Sequence, residues 1–138
     1  MLKNRSIPQC TVIPVLAYPD VNEAVEWLCK TFGFTVRLRI GDHRVQLNVA
    51  DGAVVVTNAS QPQQPGAVLD SILVRVERAD DHHADAKRHG AKILQPPADQ
   101  PYGERQYVAE DLLGRRWTFS QSVANVKPED WGGTSGQL

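Results

Sequence analysis

One order of apolar runs, caps and turns occurs twice in this chain, and that repetition limits the fold more than any other feature. After a mostly β-branched run at residues 11–17, Asp20 and Glu23 stand at capping-box spacing. Val21, Ala24, Val25, Leu28 and Phe32 then recur at helical intervals up to Gly33. Three strand-like runs follow at 34–40, 44–49 and 53–57, parted by the turn pairs Gly41-Asp42 and Asp51-Gly52. In the middle run Val45, Leu47 and Val49 alternate with Arg44, Gln46 and Asn48, so one face is apolar and the other polar. The second pass predicts a strand at 68–76, a helix at 80–89 stopped by Gly90, and a short strand at 92–94. A hairpin in YGERQYVAEDLLGRRWTF, residues 102–119, completes it. Setting Tyr18 against Val76 places Ile13 opposite Ser71, an offset of 58 residues. The expected fold is α+β: two βαβββ modules at about 11–58 and 67–120, forming a curved mixed sheet around a cleft. The polar, Pro-rich stretch 59–66 is the linker, and 121–138 is a tail whose one large apolar group is Trp131. That tryptophan is expected to dock on the body or on a second subunit, or to cover a ligand.

The chain of 138 residues suits one domain and is long enough to bury roughly two-thirds of its unfolded surface. A net charge of -1 with mixed signs offers no field for nucleic acid and no polybasic membrane anchor. Only Cys10 and Cys29 are present, outside any CxxC spacing, which argues against a disulfide framework and a structural zinc site. With no signal-peptide core and no apolar run of membrane length, the expectation is a cytoplasmic protein. His82, Asp85 and His89 have helical spacing, yet acidic residues at a helix start and histidines along it read first as a solvated face. No P-loop, dinucleotide fingerprint or Ser-His-Asp order is present.

The stretches PVLAYPDVNEAVEWLCKTFGF, residues 14–34, and YGERQYVAEDLLGRRWTF resemble the vicinal oxygen chelate superfamily. That superfamily holds glyoxalase, bleomycin-resistance proteins and extradiol dioxygenases, and the likeness runs from about residue 11 to 120, closest to the glyoxalase-like branch. In metal-dependent members, the resemblance implies, four inward residues bind a divalent metal as His, Glu or Gln, His and Glu. Those positions fall on Ile13, on or near Val56, on Ser71 and on Thr118. Two aliphatic side chains and two neutral hydroxyls are poor ligands beside imidazole or carboxylate. The expectation is therefore no metal and no other cofactor. The usual Asp-Pro-Asp-Gly turn is replaced by Asp111-Leu112-Leu113-Gly114.

If strand alternation follows the inherited positions, Ile13, Val15 and Ala17 point inward from the first strand, as do Ser71, Leu73 and Arg75 from the fifth. Arg116, Thr118 and Ser120 do so from the eighth. Trp117 and Phe119 then pack under the helices. Gln46 faces the cleft from the third strand, and Tyr102 and Arg105 sit at its mouth, as the resemblance implies. The expected ligand set is Gln46, Ser71, Arg75, Tyr102, Arg105, Arg116 and Thr118, with no catalytic residue assigned. Arg116, if buried, needs an anionic partner, either an acidic ligand group or Glu110. The surface alternative for Arg75, Arg105 and Arg116 is ordinary salt bridges.

The leading expectation is a metal-free protein that sequesters a small organic ligand, an antibiotic or metabolite, with an acidic or carbonyl group. The alternatives are a glyoxalase-like or dioxygenase-like lyase or isomerase, with displaced metal ligands or none, and an interaction module whose cleft has closed. Unpaired strand edges, together with the resemblance, imply a homodimer.

Overall fold

The computed structural model describes residue 2, residues 4–59 and residues 70–136. The linker expected at 59–66, apart from Ala59, lies outside the described residues, as does the start of the strand expected from 68. The chain divides into two compact units, Met1–Val68 with Leu112–Gly114, and Leu69–Asp111 with Arg115–Leu138.

The first unit runs β1 (Val15–Tyr18), α1 (Val21–Phe32), β2 (Thr35–Ile40), β3 (Arg44–Val49), β4 (Gly52–Asn58). Its sheet has the order β1-β4-β3-β2, with β1 parallel to β4 and the other pairs antiparallel. The carboxylate of Asp20 accepts from Glu23 N–H at 3.0 Å, and Gly33 ends α1 in the left-handed conformation at φ 79. Both ends thus follow the residues read as caps, because Asp satisfies an orphan N–H and Gly carries no Cβ penalty at positive φ. Val21, Ala24, Val25, Leu28 and Phe32 are buried, and α1 packs on β2, β3 and β4. The strand expected from residue 11 begins at Val15, after Pro14, which has no N–H for a ladder but whose carbonyl accepts from Val55 N–H at 2.9 Å.

The second unit repeats the order: β5 (Ser71–Arg75), α2 (Ala79–Arg88), β6 (Lys92–Asp99), β7 (Glu104–Glu110), β8 (Arg116–Ser122). Its sheet order is β5-β8-β7-β6, again with one parallel pair. Here β6 runs five residues past the expected end at Leu94, through Pro96 and Pro97. It can do so because it is the edge strand and its pairing slips twice, between Ile93 and Gln95 and between Gln95 and Ala98. Trp117, Tyr107 and Phe119 are fully buried on the face that carries α2, where Phe119 stacks on Tyr107 at 5.1 Å.

The tail folds back on its own unit. Val123 and Ala124 both donate to the Gly103 carbonyl, and a Cβ at Gly103 would stand 2.5 Å from the Ala124 carbonyl oxygen. Gly103, at φ 81, is needed both for that approach and for its backbone conformation. A 3-10 turn, Pro128–Trp131, then brings Trp131 to 5.4 Å from the Tyr102 ring.

Candidate functional site

Register decides which side chains share the face of the second sheet away from α2. In β5 and β8 the pairs Ser71 with Arg116, Leu73 with Thr118 and Arg75 with Ser120 alternate with Ile72, Trp117, Val74 and Phe119, which face the helix side. Across β7, Glu110 pairs with Arg116, Val108 with Thr118, Gln106 with Ser120 and Glu104 with Ser122. The inward set expected from β5 and β8 is thereby on one face.

At one end of that face Ser71, Leu94, Gln95, Val108, Arg116 and Thr118 line an open concavity of about 360 Å³. Three of the seven expected ligand residues, Ser71, Arg116 and Thr118, meet here. Arg116 is exposed, which corrects the idea that it is buried against an anion; Glu110, its cross-strand neighbour, takes Lys92 at 3.6 Å. An exposed guanidinium keeps its hydration and carries no large burial cost, so it has no structural need of a partner.

Toward the other end lies a chain of polar contacts. Tyr102 Oη donates to Gln106 Oε1 at 2.9 Å, Gln106 Nε2 donates to Ser120 Oγ at 3.0 Å, and Ser120 Oγ donates to Glu104 Oε1 at 2.7 Å. The hydroxyls of Ser122 and Ser120 hold the Glu104 carboxyl below the usual range, and the nearby Arg75 charge adds to this against a small desolvation effect. Tyr102 thus joins the face through its hydroxyl, and Arg75 through its charge. Glu104, Gln106 and Ser120 are residues that the ligand set omitted. Alternation along β7 would have found two of them, since Glu104 and Gln106 have the parity of Val108 and oppose that of Tyr107.

Arg105 is placed otherwise. It shares parity with Tyr107 and Ala109, so it lies on the helix side, where Nε reaches Asp80 at 3.0 Å and Nη1 reaches Asp99 at 3.1 Å. Its expected position at a ligand entrance is not what the structure shows. On the same side Tyr107 Oη lies 2.5 Å from His82 Nδ1, and burial pushes the Tyr107 hydroxyl pKa up, with Asp85 adding to the shift.

Gln46 belongs to the first unit and is 4% exposed. Its Oε1 accepts from Arg37 Nη1 at 2.6 Å and its Nε2 donates to the Ser6 carbonyl at 3.0 Å. The side chain faces away from α1, as expected, but residues of the N-terminal segment already engage it.

The inherited metal positions do not fit a transition metal. Val56 lies in register with Leu16 and Val45 on the helix side of the first sheet; the neighbour on the other face is Val55, opposite Val15. Neither valine can donate, and Ser71 and Thr118 offer neutral hydroxyls. Among the described residues no three His, Cys, Asp or Glu side chains gather where they could hold a metal ion.

Comparison with known proteins adds to this geometry. A family model described as Glyoxalase/Bleomycin resistance protein/Dioxygenase superfamily matches residues 6–119. Among solved structures, TioX from Micromonospora sp. ML1 is 35% identical, with 80% of this chain and 96% of that one covered and a TM-score of 0.71. A glyoxalase/bleomycin resistance protein/dioxygenase from Nocardioides is 18% identical over 94% of this chain and 89% of its own, at a TM-score of 0.68. A glyoxalase-related enzyme from Fulvimarina pelagi is 14% identical over 93% and 99%, at 0.66. The last two likenesses concern the fold alone. No curated protein matches the chain.

Proposed function

The chain belongs to the glyoxalase/bleomycin resistance protein/dioxygenase superfamily, and on that premise we propose that it binds and sequesters a small organic acid, without a metal, on the open face of its second sheet. The observation that carries this reading is the concavity where Ser71, Thr118, Gln95 and Arg116 converge on the apolar side chains of Leu94 and Val108. Its volume of about 360 Å³ falls within the roughly 300–1,000 Å³ of small-molecule sites. A guanidinium presents two parallel N–H groups to a carboxylate, and hydroxyls and an amide suit a carbonyl or phenol oxygen beside it. Exposed Leu73, in register with Thr118, extends the apolar wall.

Binding without turnover is favoured by what lines the concavity. Among the described residues that line it there is no His, Cys, Asp or Glu to serve as a base for Ser71 or Thr118. The test begins with mass spectrometry of small molecules copurified with the protein, followed by calorimetric titration of the identified acid. Arg116→Ala is expected to weaken binding by about fivefold, because the pair is solvent-screened and its loss costs on the order of 1 kcal/mol. Unchanged binding to Arg116→Ala would remove Arg116 from the site. Conversion of the ligand on incubation, or one equivalent of transition metal in the purified protein, would move the reading to a lyase or isomerase.

A further inference from the structure

The two sheets differ in what lies on the face turned away from the helix. In the first unit that face carries the chain's own N-terminal segment. Arg37 Nη2 donates to the Arg5 carbonyl at 2.9 Å and Gln46 Nε2 donates to the Ser6 carbonyl at 3.0 Å, while Arg37 Nη1 at 2.6 Å from Gln46 Oε1 fixes the two donors against each other. Two consecutive carbonyls of one segment are thus read by two side chains that brace one another. The segment is shaped for this by Asn4, whose Oδ1 accepts from Ser6 N–H at 3.0 Å and whose carbonyl accepts from Ile7 N–H at 3.3 Å, and Pro8 is buried beyond it.

We propose that the face around Arg37 and Gln46 is a binding site for a short, turned polypeptide segment, filled in cis by residues 4–8. Three features point to a peptide. Both donors are directed at backbone oxygens, so recognition does not depend on the side chains of Arg5 and Ser6, which are exposed. The buried position two residues past the second carbonyl is a proline, a residue with no N–H to leave unmatched. And Gln46, 4% exposed with the segment in place, has its amide oxygen taken by Arg37 and its amide nitrogen by the Ser6 carbonyl, so the segment completes its hydrogen bonding as well as covering it. The segment is tethered to β1 by residues 9–14, which have no regular structure. A tether this short gives an effective concentration on the order of millimolar, which shields the site from weak ligands in solution.

The probe is a synthetic peptide of residues 1–10, acetylated, amidated and fluorescently labelled. A chain lacking residues 1–9 should bind it, and Gln46→Leu or Arg37→Ala in that chain should weaken binding about tenfold, as expected for losing one hydrogen bond from a charged or buried donor. The full chain should bind the probe at least ~100-fold more weakly, because its own segment competes. Equal binding by both chains, or none by a truncated chain whose melting is cooperative, would overturn the proposal. If truncation prevents folding, the full chain decides the matter through trypsin cleavage after Arg5. Gln46→Leu should accelerate that cut about tenfold by releasing one of the two anchors. An unchanged rate would show that the segment is not held there.

Discussion

The two βαβββ units share strand order and pairing but are held together by different means. In the first, a helix with a side-chain cap lays Val21, Ala24, Val25, Leu28 and Phe32 on the sheet. In the second, α2 has no side-chain cap at Arg78 and buries Ala79 and Ala86, while Gln121 Oε1 from β8 accepts from Ala79 N–H at 2.8 Å. The apolar material has moved from the helix into the strands, as Tyr107, Trp117 and Phe119. The opposite faces diverge as well: one is covered by residues 4–8, the other leaves a concavity and a polar ladder open. One topology can therefore be stabilised from either layer, and the face not needed for stability is available for binding.

Large-to-small changes should separate the two most sharply. Trp117 is fully buried and its Nε1 donates to Asp111 Oδ2 at 2.9 Å in the turn between β7 and β8. Trp117→Ala is expected to lower stability by about 3–5 kcal/mol, and Leu28→Ala in α1 by about 2–5 kcal/mol, read from urea midpoints. If the apolar residues of α2 rather than of its strands held the second unit, Trp117→Ala would cost under about 1 kcal/mol. Trp117→Phe, which keeps most of the volume, should cost less than the alanine and isolate the bond to Asp111.

Helix starts give the next effect. Asp20→Ala removes the acceptor of Glu23 N–H and should cost about 1 kcal/mol. Arg78→Ala, at the equivalent position of α2, should stay within about 0.5 kcal/mol, since the backbone there is capped from Gln121. Equal costs at both positions would erase the contrast between the helices.

How far these differences were legible depends on whether they are local. The caps of α1, the turn pairs and the alternation of β3, β5 and β8 are written in adjacent residues, and the element order followed from them. The extent of β6 was not, because Pro96 and Pro97 end a strand unless it is an edge, and edge position is a property of the whole sheet. Arg105 carried a readable signal, its parity with Tyr107, that the motif around Tyr102 overrode. Of the position placed on or near Val56, Val56 itself shares the helix side with Leu16 and Val45 and its neighbour Val55 the other face, a choice that one residue of register decides. The cover on Gln46 involves Ser6, forty positions away, and no local pattern announces it.

The smallest effect expected concerns Glu104, and it tests whether the open face of the second sheet is electrostatically prepared. Hydroxyls from Ser122 and Ser120, helped by Arg75, lower its pKa in the folded chain. The native state therefore binds fewer protons than the unfolded chain as pH falls through the carboxylate range near ~4.3. This contribution is fully present above the unfolded pKa and is lost as pH falls through the lower folded value. Because the side chain is only half-buried, screening keeps the effect small. Glu104→Gln removes the titration but keeps the shape. Urea midpoints measured from about pH 6 down to about pH 2 should place wild type above the variant at the upper end, with the two curves converging toward the lower end. Parallel curves across that range would mean that the Ser120 and Ser122 contacts do not favour the charged form, and the polar ladder would then be a set of neutral contacts.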